Sequence, residues 1–202
     1  MIKRLPGVTT ENHGRERNVK KNLKNSDRSS DICGLILLGL LLILNISCQS
    51  LNDSRIPSMP VNINLSDRGM WSAYGVSGFG DFNYFVFRTG SAREPAGFPY
   101  VDTSATGFGG VLLIEGVDPF SGDAGCPLAY DLSCPVEKSP TVRVGIDPKT
   151  YEAVCPVCDS HYNVTTGAGA PTVGEAVTLH YGLRRYYCHI TSLGGYIIND
   201  RP

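Results

Sequence analysis

Two short stretches, LAYDLSCPVE at residues 128–137 and CPVCDSHYN at residues 155–163, decide how this sequence folds. Cys134 and Cys155 are 21 positions apart, and each begins a Cys-Pro pair placed after a predicted strand and before a turn. Two such loops at the same end of a β-sandwich would bring their cysteines together. The sequence therefore predicts a site built from Cys134, Cys155 and Cys158.

The chain after residue 60 has the pattern of an all-β domain. Short apolar and β-branched runs are separated by Gly, Pro, Asn and Asp, and no stretch keeps a helical period over three turns. Short strands with frequent turns favour an antiparallel sandwich or a small barrel. Residues 89–109 are predicted as a long loop, and no internal repeat is found. The predicted strands are 61–65, 84–87, 110–115, 141–146, 176–181 and 196–198.

The first 48 residues predict an export leader. They carry eight Lys or Arg against four Asp or Glu, and the apolar run GLILLGLLLILNI at 34–46 has the length of a signal-peptide core. Ser47-Cys48 closes the run and resembles a bacterial lipobox, in which the cysteine carries the lipid. The alternative is an uncleaved signal anchor, which leaves the domain on the same side of the membrane.

These boundaries predict three segments and a location. We expect a leader with a lipoprotein-type signal peptide at 1–48, a tether at 49–60 and the domain at 61–202. The domain would then be anchored to a membrane of the bacterial cell envelope and face the periplasm or the exterior.

The charge of the chain after residue 48 bears on its partners. This part is mildly acidic, with ten Lys or Arg against fifteen Asp or Glu. Proteins that bind nucleic acid neutralise phosphates with Lys and Arg, so we do not expect a nucleic-acid partner. The expected partners are the membrane, through a lipid on Cys48, and a redox or envelope protein.

The two cysteine loops resemble those of the Rieske [2Fe–2S] family, which carry Cys-x-His and Cys-x-x-His. Cys134 and Cys155 match the cysteine ligands of that family. Ser160 and Tyr162 match its hydroxyl residues, which hydrogen-bond the cluster and a cysteine sulfur. The resemblance implies a Rieske-like antiparallel β-sandwich with two cysteine-bearing loops. Further matches are Ala129 and Asp131 before the first loop and Gly174-Glu175-Ala176, which resembles a Gly-Pro-Ala turn.

The sequence departs from the family at both histidine positions. Val136 occupies the first, and Cys158 occupies the second. In a Rieske centre two imidazoles on one iron raise the reduction potential, and neither imidazole is present here. The resemblance then implies a degenerate site, in which Cys134, Cys155 and Cys158 would hold an altered [2Fe–2S] cluster or another metal centre.

Three uses of these cysteines remain open. One is a Cys134–Cys155 disulfide that joins the loops, which is worth about 3 kcal/mol in the chain-entropy model. Another is a metal site in which Cys126 or His161 adds a fourth ligand, because Cys-Pro-Val-Cys is similar to the knuckle of rubredoxins and zinc ribbons. We expect His161 itself to point to the opposite face of its strand. The third is thiol redox chemistry by the Cys-x-x-Cys pair.

Two functions follow from these alternatives. One is an electron-transfer module of the envelope with an altered iron–sulfur or metal site. The other is a cluster-free structural or interaction lipoprotein with the Cys134–Cys155 disulfide. The sequence carries no catalytic motif that indicates an enzyme. Cys188 is predicted to be a buried free thiol.

Overall fold

A computed structural model describes residues 50–87 and 94–200, which belong to a unit spanning Gln49–Pro202. Strands dominate this unit, which confirms the all-β prediction. The predicted leader, with its lipidation residue Cys48, lies outside the described residues. No helix in the described ranges is long and apolar enough to span a membrane.

Eleven strands and two short helices make up the regular structure of the described residues. The helices are α1 (Arg68–Tyr74) and α2 (Glu175–Leu179). The strands are β1 (Val61–Asp67), β2 (Phe82–Phe85), β3 (Ala105–Thr106), β4 (Val111–Val117), β5 (Ala124–Asp131), β6 (Gly145–Ile146), β7 (Ala153–Val154), β8 (His161–Asn163), β9 (Ala170–Val173), β10 (Arg185–Ile190) and β11 (Gly194–Asn199).

The strands form two sheets in which every neighbouring pair is antiparallel. The larger sheet has seven strands in the order β2-β4-β5-β10-β11-β1-β3, and the smaller one has the order β6-β7-β8-β9. The first cysteine loop follows β5 of the larger sheet, while the second connects β7 and β8 of the smaller one. Each sheet therefore supplies one of the two loops.

The first four residues of strand β4, VLLI at 111–114, are buried on both faces, which explains why they are all apolar. Val111 and Leu113 belong to a core cluster that also contains residues of β1 and β11. Leu112 and Ile114 belong to a second cluster, which contains Cys134, Cys155 and Tyr162. The side chains of the neighbouring strand β5 divide between the two clusters in the same way. The central strands thus contribute side chains to both core clusters, including the one on which the cysteine loops pack.

Asp131 fixes the start of the first cysteine loop. Its buried carboxylate accepts hydrogen bonds from the backbone amide of Ser133 at 2.7 Å and from the Tyr186 hydroxyl at 2.6 Å. The amides of Phe108 and Gly109 donate to it as well, at 2.9 and 3.0 Å. A Cβ atom at Gly109 would lie 2.7 Å from Oδ1 of Asp131, so the close approach requires glycine here. The carboxylate therefore ties the entry of the loop to two other segments, the turn at 108–109 and strand β10.

The prediction of a strand at 176–181 is wrong, because Glu175–Leu179 forms helix α2. The helix follows Gly174, whose φ of +84° makes the turn, and the amide of Ala176 donates to Ser160 Oγ at 3.2 Å. Five residues are too few to display a helical period in the sequence.

Two other sequence predictions are only partly correct. Of the predicted strand 141–146, only Gly145–Ile146 pairs as a strand, with an isolated bridge from Arg143 to Ser133. The predicted loop at 89–109 contains β3, and residues 88–93 lie outside the described ranges. Helix α1 was not predicted, although Asp67 caps it by accepting from the Met70 amide at 2.9 Å.

Candidate metal centre

Three cysteine sulfurs converge where the two loops meet. The Sγ atoms of Cys134, Cys155 and Cys158 all lie within 4.8 Å of one another, and we call these residues the thiol triad. Cys134 Sγ and Cys158 Sγ are 3.6 Å apart. Cys134 and Cys155 are buried, while Cys158 is partly exposed at the edge of the site. The thiol triad could hold a metal ion.

The second loop has the conformation that sulfur ligands of metals favour. The backbone amides of Cys158 and Val157 both hydrogen-bond the Cys155 sulfur. The turn closes with a hydrogen bond of 3.1 Å from the Asp159 amide to the Cys155 carbonyl oxygen, and Asp159 has a positive φ of 53°. Amide donors stabilise a thiolate, so the loop is prepared to present a charged sulfur.

The first loop repeats this conformation 21 positions earlier. The amides of Glu137 and Val136 hydrogen-bond the Cys134 sulfur. The Lys138 amide donates to the Cys134 carbonyl oxygen at 2.9 Å, and Lys138 has a φ of 48°. Each feature has its counterpart in the second loop at the same offset. We call these two turns, at 134–138 and 155–159, the first and the second knuckle. The site is therefore built from two knuckles that share one backbone geometry.

The shared geometry is accompanied by a short match in sequence. CPVEKS at 134–139 and CPVCDS at 155–160 agree at four of six positions. So short a match does not stand out in a chain of 202 residues. The match becomes significant because the two segments adopt the same turn. In this turn Glu137 occupies the position that Cys158 occupies in the second loop.

Ser160 and Tyr162 contact the thiol triad from the floor of the site. The Tyr162 hydroxyl lies 3.4 Å from Cys134 Sγ, and Ser160 Oγ lies 3.3 Å from Cys158 Sγ. Both side chains are fully buried. A Cβ atom at Gly174 would lie 2.8 Å from Ser160 Oγ, so this glycine leaves room for the serine.

Burial sets the protonation of these groups. It raises the pKa of Cys134 to about 12, against the opposing hydrogen bonds from the Tyr162 hydroxyl and the amides of Glu137 and Val136. Burial likewise raises the pKa of Cys155, despite its two amide donors. It also raises the pKa of Tyr162, with a further contribution from the adjacent Cys134, so the phenol stays protonated. A metal ion must therefore displace protons from the buried thiols.

The two residues proposed from the sequence as fourth ligands do not join the thiol triad. His161 Nδ1 lies 3.1 Å from Glu152 Oε2 and its Nε2 lies 3.8 Å from Asp159, in line with the expectation that it faces away. Cys126 lies in a separate cleft beside Cys188. Cys188 is a free thiol, as predicted, but it is only partly buried. Val136, at the first family histidine position, packs against the core cluster below the site.

The five cysteines of the described residues are all free thiols, so the predicted Cys134–Cys155 disulfide is not formed in this structure. The 3.6 Å between Cys134 Sγ and Cys158 Sγ is far longer than the roughly 2.05 Å of a disulfide bond. It is close to the separation of two sulfurs on one tetrahedral ion, about 3.8 Å for zinc–sulfur bonds of 2.3 Å. The spacing of the sulfurs suits coordination of a shared ion.

No protein-family model matches this chain, and a comparison with curated proteins finds no significant match.

Proposed function

We propose that this chain is a lipid-anchored protein of the bacterial cell envelope whose β domain binds one metal ion through Cys134, Cys155 and Cys158. The observation that carries the proposal is the convergence of three sulfurs from two knuckles of the same geometry. Two of the three sulfurs, those of Cys134 and Cys155, each receive two backbone amide donors, which a chance meeting of side chains in a core would not supply. The arrangement supplies both the ligands and the hydrogen bonds that a metal thiolate needs.

The spacing favours a single ion over a [2Fe–2S] cluster. A two-iron cluster divides four ligands between its irons, and sulfurs on different irons lie farther apart than sulfurs on one. The thiol triad places three sulfurs within 4.8 Å of one another. Val136, at the position of a cluster histidine in the Rieske pattern, offers no donor atom. The residues present therefore fit a mononuclear site better than the cluster of the resembling family.

Thiolate ligands select soft and borderline ions, notably zinc, copper(I) and iron. Iron in this site would exchange one electron between its ferrous and ferric states, which would make the domain an electron-transfer module. The protein contributes a partly exposed edge at Cys158, beside the exposed side chain of Val157. It also contributes the buried hydroxyls of Ser160 and Tyr162, which would hydrogen-bond the thiolates.

Metal analysis of the full-length protein tests this function. Protein purified under nitrogen in detergent should contain close to one metal ion per chain and no acid-labile sulfide. Cys155→Ser should abolish the bound metal, because it removes the buried sulfur at the first position of the second knuckle. Cys126→Ser is the matched control, since this cysteine lies in another cleft, and it should retain the ion.

The outcomes of this test are distinct. Two iron and two sulfide per chain would replace the single-ion proposal with the cluster. Metal-free protein that takes up neither zinc nor iron after reduction would overturn metal binding altogether, and a mass-mapped Cys134–Cys155 disulfide would then support the structural alternative.

A further inference from the structure

We infer that the carboxylate of Glu137 is the fourth ligand of the metal ion held by the thiol triad. The inference rests on the proposed function and assigns the position that the three cysteines leave open. Four ligands complete the tetrahedral site that structural zinc and mononuclear iron–sulfur proteins use. Three of them are visible in the convergence of the sulfurs.

The repeated turn identifies where the fourth ligand comes from. In the second knuckle the ligands stand at the first and fourth positions, Cys155 and Cys158. The first knuckle has the same amide donors to its cysteine sulfur and the same closing hydrogen bond. Its first position is Cys134, and its fourth is Glu137. Two turns of one geometry that face a common ion present their fourth positions to it in the same way.

The Glu137 side chain is available for this role. Within the described part of the chain its carboxylate makes no hydrogen bond or ion pair, although the residue is half-buried. The only described ligand groups that lie within 4.8 Å of one another here are the three sulfurs, so the carboxylate must swing inward when the ion binds. A glutamate reaches farther from its Cα than a cysteine, and none of the described residues holds this side chain in another position.

The other possible ligand atoms near the site already have hydrogen-bond partners. His161 is occupied by Glu152, and Ser160 Oγ accepts a hydrogen bond from the Ala176 amide. The Tyr162 hydroxyl already makes a hydrogen bond with the Cys134 sulfur, at 3.4 Å. A carboxylate binds zinc readily, at about 2.0–2.2 Å. Glu137 is thus the donor whose chemistry and position both fit.

Cobalt(II) titration of the reduced, full-length protein tests the assignment. Tetrahedral cobalt gives ligand-field bands, and its thiolate-to-metal absorption grows with the number of bound sulfurs. Wild type should bind one cobalt with the intensity of three thiolates. Glu137→Gln and Glu137→Ala should weaken binding by at least about tenfold, since even residues outside the coordination shell cost tenfold or more. Glu137→Cys should bind more tightly and raise the thiolate absorption by about one third, from three sulfurs to four.

Glu175→Gln is the matched control, because this exposed glutamate lies on α2 beside the site and should leave cobalt binding unchanged. Circular dichroism establishes that each variant is folded. Unchanged affinity in both Glu137→Gln and Glu137→Ala, with no gain of thiolate absorption in Glu137→Cys, would overturn the role of Glu137 and leave the thiol triad standing. Wild type that binds no cobalt would instead overturn the metal site itself, and this assignment with it.

Discussion

The hydroxyl of Tyr162 lies 3.4 Å from the sulfur of Cys134, at the bottom of the thiol triad and sealed from solvent. A hydrogen bond to a thiolate ligand stabilises the more negatively charged, reduced state of a metal centre. Tyr162→Phe should therefore lower the reduction potential of the iron-loaded protein while the fold is retained. Spectroelectrochemical titration measures the change.

Tyr130→Phe serves as the control for that potential. Tyr130 lies in the same core cluster, but its hydroxyl has no hydrogen-bond partner among the described residues. The reduction potential of the iron-loaded Tyr130→Phe variant should equal that of wild type. An equal shift in both variants would mean that general packing, and not the contact between Tyr162 and Cys134, tunes the centre.

The same variant yields a prediction on stability. A buried polar group without a partner costs about 1–3 kcal/mol of desolvation, and phenylalanine fills nearly the same volume as tyrosine. Tyr130→Phe should therefore raise the free energy of unfolding by about 1 kcal/mol, measured by urea denaturation of the metal-free protein. Tyr84→Phe provides the contrast, because the Tyr84 hydroxyl accepts a hydrogen bond from the Ile146 amide at 2.9 Å and its loss should destabilise. A loss of stability in Tyr130→Phe would contradict the assignment of an unsatisfied hydroxyl.

Removal of the metal should lower the melting temperature. An ion present at about 1,000 times its dissociation constant stabilises the folded state by about 4 kcal/mol. For a domain of this size that corresponds to a rise of about 10 °C. Differential scanning calorimetry with and without a chelator measures the shift. Cys155→Ser should melt at one temperature in both conditions, and a chelator effect that persists in this variant would place the ion elsewhere.

Metal affinity should rise steeply with pH. Burial raises the pKa of Cys134 to about 12 and also raises the pKa of Cys155, so both thiols hold their protons near neutral pH. The ion must release these two protons, and their release becomes easier as the pH increases. Zinc affinity should therefore increase by at least about 100-fold per pH unit around neutrality. Competition titrations with a chelator of known proton dependence check this, and an affinity independent of pH would show that these thiols are not the ligands.

The lipid anchor can be tested by mass spectrometry of the membrane fraction. If Cys48 is the lipidation site, the mature chain begins at Cys48 and carries an acyl mass. Cys48→Ala should then leave an uncleaved or soluble species. A native protein that begins at Met1 and carries no acyl group would refute lipidation. The conservative Cys33→Ala variant should be processed normally, because this cysteine precedes the proposed cleavage site.

The sequence allowed correct predictions where burial of an element produces a recognisable pattern of apolar residues. The apolar run at 110–115 became β4, because a strand covered on both faces has little room for polar residues. Helix α2 escaped prediction, since five residues beginning after a glycine turn leave no period to detect. Its position depends on a tertiary contact, the hydrogen bond from the Ala176 amide to Ser160.

The candidate site, like the fold, could be predicted only in part from the sequence. The spacing of Cys134 and Cys155 was enough to predict that their loops meet, and the structure brings the two cysteines together with Cys158. The equivalence of Glu137 and Cys158 could not be predicted, because it depends on amide-to-sulfur hydrogen bonds and on left-handed residues at 138 and 159. In the sequence, the only sign of these features is the six-residue match between 134–139 and 155–160.

The double burial of β4 and β5 also determines the order in which the protein opens. Hydrogen exchange proceeds through local openings, and its slowest amides belong to the segment whose exposure disrupts the most packing. Strands shared by both core clusters cannot open without breaking both, so the amides of Leu112, Leu113 and Ala129 should be the last to exchange. The smaller sheet consists of two- to four-residue strands, and its buried residues belong to one core cluster only. Loss of the ion would therefore loosen this smaller sheet as a separate foldon while the larger sheet stays protected.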